Sequence, residues 1–503
     1  MQVKLIGNTL FYKTAQGAFK APYSEKALNT LQRAGHDLTA VKTLNGALKR
    51  RLHNYQVTAV VTAAKNGGSL LLADDMGLGK TASAIATMVN NKSKKTLIVV
   101  PSNVKLQWKR EITSWLTKPK MIKICSGRTF NLSDALQVEK ASIVIINYNI
   151  LEAWSELLCS IRWDFAILDE GQNIKKSSAG CTQAMIRIRE FVDNCMVLTG
   201  TPLTDRNSDI FWVVWMVNRN LFPSEPAFMQ KYCLQVGYDG VITEASVNTL
   251  ELNHILTSSG VMLRRTKSQV QTRFGVKLKV VAFKHNTATL DMIESEVAKA
   301  ERLVKHSYGK YRSSLKFQIQ RSIEQFLQEA IRIKLPDTIR WVEDFMHRCP
   351  DKKLVIACVH RELCGMLLAQ HFGDRAVRID GSNTPKQRDT LIQKFRNDKS
   401  IQLLIGNIKS VGTGLDGLQH VCNTMVLCEF PWSPGELNQL FARLDRQGQS
   451  EDVTVYLHVV HNTMDAKMAK TLDRKANTLS EVLDGKSLDA NKKLTKLIKE
   501  QTR

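Results

Sequence analysis

Two series of short apolar runs constrain this chain more than any other feature. The first comprises SLLLAD, TLIVVPS, SIVIINY, FAILDE and CMVLTGTP; the second comprises KLVIACVH, AVRIDG, IQLLIGN, NTMVLCEF and VTVYLHVV. A strand with one wet face alternates polar and apolar residues, whereas a short unbroken apolar run fits a strand covered on both faces. Amphipathic stretches with helical spacing separate the runs, so each series predicts a parallel sheet flanked by helices. The expected fold class is α/β, with two parallel-sheet lobes.

Domain boundaries follow from shifts in this pattern. Residues 1–50 are locally basic, and VKLIGNTLFYK alternates about Gly7-Asn8, a pair suited to a tight hairpin turn. They are read as a small β-containing accessory domain. Lobe 1 is placed at 51–283 and lobe 2 at 336–483. Between them, residues 284–335 keep helical spacing and carry Arg302, Lys305, Lys310, Arg312, Lys316, Arg321, Arg332 and Lys334 among few acids. This predicts a basic helical insertion, punctuated by Pro336. Residues 484–503 read as a Lys-rich tail, either a solvated helix or frayed.

Charge narrows the class of partner. The 503 residues include 71 Lys plus Arg against 47 Asp plus Glu, a formal net charge of +24. Such an excess attracts a polyanion through its field and through counterion release. No apolar run approaches the roughly 20 residues needed to span a bilayer, and no basic amphipathic helix stands out, so nucleic acid is favoured over a membrane surface. The cysteines form no CxxC pair and sit among apolar neighbours, as buried thiols in a reducing compartment do. The first residues lack the apolar core of a signal peptide. The expected location is the cytoplasm, of a prokaryote or a phage-infected host, or the nucleus if the source is eukaryotic.

The sharpest motif is LLLADDMGLGKTASAIA, residues 70–86. A buried strand runs through a glycine-containing turn into a helix, the setting in which backbone N–H groups and a helix dipole cradle phosphate. Asp75, Met76, Gly77, Leu78 and Gly79 form that turn. Lys80 is placed to hold the β- and γ-phosphates of ATP, and Thr81 to ligate Mg²⁺. Where the widespread GxxxxGKT pattern has its first glycine, this chain has Asp74. Downstream, WDFAILDEGQNIKK delivers Asp169 and Glu170 to the end of an apolar strand. Asp169 can hold the Mg²⁺, and Glu170 can take a proton from an attacking water.

With these residues in view, the chain resembles the superfamily-two helicases, and among them the Swi/Snf-type DNA translocases. ADDMGLGKT resembles that family's A-D-E-M-G-L-G-K-T, which accounts for Asp74. Leu52, Tyr55 and Gln56 resemble the adenine-recognising Q motif. VVPSNVKLQWKREI and INYNIL resemble the DNA-contacting motifs of the first lobe, LTGTPLTDRNSDIFW motif III, and MLRRTKSQV the segment closing that lobe. KLVIACVH, LLIGNIKSVGTGLDGLQH and EFPWSPGELNQLFARLDRQGQ resemble motifs IV, V and VI, and DRKANTLSEVLDG the bracing helix that follows. The resemblance implies two RecA-like lobes. It implies nucleotide contacts for Tyr55, Gln56, Gly414, Asp416 and Gln439. It also implies arginine-finger roles for Arg443 and Arg446, spaced to project from one helical face.

One departure bears on coupling. The family usually writes D-E-A-H or D-E-G-H, whereas this chain has Gln172 in the fourth place. An amide can hydrogen-bond across the lobe interface but cannot titrate. The compact length, VRIDGSN and EFPWSPGELNQ look most similar to annealing, fork-remodelling and phage branch-migration helicases. The resemblance therefore implies an ATP- and Mg²⁺-dependent motor on duplex or branched DNA, expected as a monomer, with protein partners unknown. A plain strand-separating helicase, an RNA helicase and a non-hydrolysing DNA-binding protein are the alternatives. Tyr148, Trp108 and Trp432 could stack on bases, although aromatics beside apolar strands more often fill a core.

Overall fold

A computed structural model describes residues 3–6, 9–14, 17–22, 46–204, 206–236, 242–270, 275–284, 295, 299, 309–360, 365–412, 415, 417–446, 448–460, 464–487 and 494–501. Strands β1 (Val3–Ile6), β2 (Thr9–Thr14) and β3 (Gly17–Pro22) form an antiparallel meander in the order β1-β2-β3. The expected antiparallel pairing is present, with Ile6 opposite Thr9, while Gly7-Asn8, on which the turn is expected, lies outside the described residues.

The chain divides into two units, Met1–Thr272 with Thr478–Lys486, and Arg273–Asn477 with Ser487–Arg503. In the first, helix α1 (Asn54–Lys65) precedes β4 (Leu70–Leu72), α2 (Lys80–Asn90), β5 (Thr96–Val100) and α3 (Lys105–Trp115). Then come β6 (Ile122–Ile124), β7 (Ile143–Asn147), β8 (Trp163–Asp169), β9 (Val192–Leu198), the β10–β11 hairpin (Leu234–Val236, Ile242–Glu244) and β12 (Met262–Leu263). Seven of these strands make a wholly parallel sheet in the order β12-β4-β9-β8-β5-β7-β6. Alternate residues of β5 serve opposite cores. Leu97 and Val99 pack with Trp154 and Trp163, while Ile98 and Val100 pack with Ile85 and Trp108. Coverage on both faces is why this strand reads as an unbroken apolar run.

The second unit repeats the plan with β13 (Val276–Phe283), α4 (Gly309–Arg348), β14 (Leu354–Cys358), β15 (Ala376–Ile379), β16 (Leu403–Asn407), β17 (Thr424–Leu427), α5 (Pro434–Phe441) and β18 (Val453–Val460). The helices α6 (Met464–Asp484) and α7 (Leu494–Gln501) follow. Its sheet is also wholly parallel, in the order β13-β18-β17-β14-β16-β15.

Three boundaries differ from the sequence reading. β13, placed in lobe 1 when that lobe is drawn at 51–283, pairs along its whole length with β18 in the second sheet. Its alternation explains this: Val276, Leu278, Val280 and Ala282 pack on the second core while Lys277 and Lys279 stay exposed, as on an edge strand. Nor does the insertion stop at residue 335, because α4 continues through Pro336. An interior proline costs about 3 kcal/mol, and burial on both sides of it, at Ala330, Ile331, Thr338 and Val342, opposes that cost. The tail is not merely solvated. Leu494 and Ile498 are buried in the second core, and the Asp473 carboxylate accepts the Leu494 and Thr495 backbone N–H groups at 2.8 and 2.9 Å, capping α7.

Of the described cysteines, none is disulfide-bonded, and burial pushes the thiols of Cys125 and Cys422 up to about 12. No described helix is long and apolar enough to cross a membrane.

Candidate active site

The site of the first unit gathers at the carboxyl ends of β4, β8 and β9. β4 leaves the sheet into the turn 73–79, where Gly77 (φ 86°) and Gly79 (φ 69°) take the left-handed conformation that glycine adopts without strain. Gly79 caps α2, whose free N-terminal N–H groups open towards the turn. A side chain at Gly79 is excluded twice, since a Cβ there would lie 2.6 Å from the Gln56 amide nitrogen. Gln56 is buried and directs that amide at the Leu78 and Gly79 carbonyls, both at 3.4 Å, while its oxygen accepts the His53 N–H at 2.9 Å. It braces the phosphate turn from α1.

Lys80 opens α2 and folds back, its Nζ donating to the carbonyls of Asp74 (2.8 Å) and Asp75 (3.3 Å). Burial lowers its pKa, and Glu170, Asp74, Asp169 and Asp75 act in the opposite direction. The same ammonium lies near Gly200, where an added Cβ would stand 3.4 Å away and would meet Met76 at 2.7 Å. The phosphate turn, the Asp169-Glu170 pair and motif III thus converge on one lysine. Leu78 is core, so it contributes backbone rather than side chain to a phosphate cradle, and Met76 and Thr81 are half-buried beside Lys80.

Asp169 ends β8 among donors. Trp108 on α3 gives its indole N–H to Oδ2 at 2.7 Å, the Glu170 N–H reaches Oδ1 at 3.1 Å, and the Tyr148 hydroxyl donates to the Asp169 carbonyl at 2.7 Å. Trp108 and Tyr148 are buried, so they serve the core and the acid together; Trp432 is 47% exposed. Burial first, and Glu170 second, raise the Asp169 carboxyl to about 6. Two carboxylates so disposed beside a single buried ammonium form a hard-oxygen environment that fits Mg²⁺.

Glu170 has φ 51°, a left-handed value uncommon outside glycine, asparagine and aspartate. Its Oε2 accepts from Gln172 Nε2 at 2.9 Å, and Gln172 Oε1 in turn accepts from the Thr199 hydroxyl at 2.7 Å. Thr199 Oγ1 also receives the Thr201 N–H at 3.0 Å. The bonds of Gln172 within its own unit thus run to motif III. The geometric reason is that β8 and β9 are adjacent parallel strands, Asp169 being in register with Leu198. Between the two acidic-motif partners, Gly171 is required because a Cβ would strike Val197 Cγ1 at 2.2 Å.

The charges missed by the sequence reading lie in MLRRTKSQV. Arg265 pairs with Asp74 through both terminal oxygens, Nε to Oδ1 at 2.9 Å, and also donates to the Tyr55 carbonyl while lying 5.4 Å over the Tyr55 ring. Burial, followed by Asp74, raises the Tyr55 phenol pKa, with Arg265 opposing. Arg264 pairs with Asp75 at 3.2 Å, and the other Asp75 oxygen accepts the Lys267 N–H at 3.0 Å, so the Asp75 side chain is a structural anchor of the turn.

In the second unit, α5 ends at Phe441, and residues 442–446 continue as turns. Arg443 and Arg446 therefore do not share a helical face, because bonds such as Leu444 N–H to the Phe441 carbonyl tighten the chain beyond Ala442. Arg443 holds its own unit together, donating to the Gly412 and Leu415 carbonyls at 3.0 and 3.4 Å; Arg446 is half-buried. Gln439 packs against the backbone of Gly412, whose added Cβ would lie 3.7 Å from Gln439 Cβ. Gly414 and Asp416 lie outside the described residues.

The profile of the SNF2-related domain matches residues 52–320, more than half of the 503-residue chain. The chain belongs to the SNF2-related family. The helicase conserved C-terminal domain matches residues 337–448 of this SNF2-related protein. It is 26% identical to "DNA annealing helicase and endonuclease ZRANB3" of Bos taurus, over 87% of this chain and 41% of that one. Against the "SWI/SNF-related matrix-associated actin-dependent regulator of chromatin subfamily A-like protein 1" of Xenopus tropicalis the identity is 26%, over 88% and 46% respectively. The chain thus spans less than half the length of these curated relatives. Among solved structures, the Sulfolobus solfataricus SWI2/SNF2 ATPase core in complex with dsDNA is similar at 21% identity and a TM-score of 0.42, covering 91% of this chain and 97% of that one.

Proposed function

We propose that this SNF2-related protein is an ATP-dependent DNA translocase that remodels branched DNA by branch migration, fork regression or annealing. The observation that carries the reading is the joining of Lys80, Asp169, Glu170, Gln172 and Thr199 at the carboxyl ends of the first sheet's strands. In this reading the turn 73–79 and Lys80 bind the phosphates of ATP, while Thr81 and Asp169 hold Mg²⁺, which neutralises phosphate charge. Glu170 accepts the proton of the attacking water, and Gln172 fixes the direction of its carboxylate. Thr199, bonded to Gln172, ties the state of that carboxylate to motif III.

DNA is the polymer that fits a net charge of +24, gripped through phosphates and hence without sequence preference. Branched DNA is favoured by the similarity to a relative described as a DNA annealing helicase. The test is ATP turnover by the purified protein with single-stranded DNA, duplex, a four-way junction and RNA at matched salt. The reading expects DNA to stimulate turnover, the junction most and RNA little. Turnover stimulated best by RNA would sink it.

A further inference from the structure

The phosphate turn is held from outside its own strand–turn–helix unit. Arg264 directs each of its guanidinium nitrogens at a different group: Nη1 donates to the Ala73 carbonyl at 2.8 Å, Nη2 lies 3.2 Å from Asp75 Oδ1, and Nε donates to Asp484 Oδ1 at 2.7 Å. Ala73 and Asp75 are the first residues of the turn that bears Lys80, and the Lys80 ammonium itself rests on the Asp75 carbonyl. Two backbone bonds, Ala73 N–H to the Leu263 carbonyl at 2.8 Å and Asp75 N–H to the Arg265 carbonyl at 2.9 Å, run beside the guanidinium.

Asp484 is 220 residues away from Arg264 in sequence, yet both lie in the first unit. The end of α6 is fixed there independently of the ion pair. Leu479, Val482 and Leu483 are buried in the first core, Thr249 donates to Glu481 at 2.8 Å, and Asn253 donates to the Val482 carbonyl at 2.8 Å. Asp484 is consequently a fixed acceptor, and the Arg264 side chain, 12% exposed, has little freedom to swing away from it.

We propose that Asp484 is a positioning residue for nucleotide binding. It holds Arg264 so that this side chain clamps Ala73 and Asp75, and thereby sets the backbone from which the phosphate turn and Lys80 project. A segment that follows the whole second lobe in sequence then completes the nucleotide site of the first. With Asp484 neutralised, the Arg264 fork keeps its charge but loses its ionic partner on the side away from the turn, and the turn samples conformations that do not cradle phosphate. The inference rests on the reading of this site as an ATP site.

The experiment measures the equilibrium Kd of a fluorescent ATP analogue, together with KM and kcat for ATP, for the full chain and three variants. D484N is expected to raise Kd and KM about tenfold, the scale of one lost charge-assisted bond, with kcat within twofold and DNA affinity unchanged. T249V removes the hydroxyl that anchors Glu481 at the same helix end, leaves Asp484 and Arg264 unaltered, and should leave Kd within twofold. D484S, which also removes the carboxylate facing Arg264 Nε, should resemble D484N and supplies the same test if D484N does not fold. An unchanged Kd in folded D484N, or an equal rise in T249V, overturns the proposal, since the latter would show general loosening of the helix end. A wild-type chain that binds no ATP overturns the reading of the site as well, so the two failures are distinguishable.

Discussion

Arg265 grips the Asp74 carboxylate with two of its nitrogens, in an ion pair whose acid is 1% exposed and whose base is 12% exposed. Asp74 occupies the place where the widespread phosphate-binding pattern has a glycine. Here that position is an anchor: it ties the turn to the segment following β12 and, through Arg265, to the Tyr55 carbonyl on α1.

Breaking the pair from one side should therefore cost more than removing it. D74A strands a buried guanidinium and is expected to destabilise the protein by roughly 3 kcal/mol, whereas replacing both partners by apolar residues should recover much of the loss. Urea unfolding followed by tryptophan fluorescence checks this. Equal losses in D74A and in a D74A/R265M double variant would contradict it.

Gln172 joins Glu170 to Thr199 through the two ends of one amide. Q172A and T199V are each expected to lower kcat roughly tenfold with ATP KM little changed, and the double variant should be no worse than either, because both remove one network. Steady-state kinetics of the four proteins decides this. Restoring the family's usual residue with Q172H should add a kcat dependence on pH near the ordinary histidine value of about 6.5, which the amide cannot show.

In the second unit, His458 is buried between Phe283 and Trp341, with Nδ1 3.0 Å from the Thr338 hydroxyl and its carbonyl accepting from Lys334 at 3.2 Å. Burial, with Lys334 adding to it, lowers its pKa from 6.5 to about 3. The folded state thus prefers the neutral ring. This contribution to stability is fully present above pH 6.5 and is lost as pH falls towards 3, by up to about 1.4 kcal/mol per pH unit. H458Q should flatten that part of the stability profile, read by denaturant titration between pH 4 and 7. An H458Q profile parallel to wild type would rule out this source.

What the sequence made legible was local. The strands could be read because covering both faces of β5, β7 and β14 forces continuous apolar runs, and the phosphate turn because strand, glycines and lysine lie within one short segment. The rest depends on pairings distant in sequence, which carry no local signal. Trp108 and Asp169 are 61 residues apart, and Arg265 and Asp74 are 191 apart. The double arginine was visible as a motif, but nothing nearby showed which acids it meets. A lobe boundary at 283 puts β13 in the wrong sheet because its partner β18 is remote, and a boundary at 335 cuts α4 short because a proline acts as a breaker only when burial around it does not oppose the cost. For the tail, lysine content hid the two apolar positions that dock it and the Asp473 cap that starts its helix.

The most direct test of the central claim is movement of a labelled four-way junction, observed by gel with wild type and Lys80→Ala at matched salt and DNA. Branch migration exchanges base pairs for base pairs, so the motor need not supply the stacking loss of about 1.4 kcal/mol per step that strand separation incurs. The account predicts ATP-dependent conversion of the junction by wild type, weak unwinding of a long linear duplex, and no conversion by Lys80→Ala despite DNA binding within a few-fold of wild type. A wild-type protein that hydrolyses ATP and separates long linear duplex efficiently while leaving every junction unmoved would contradict it.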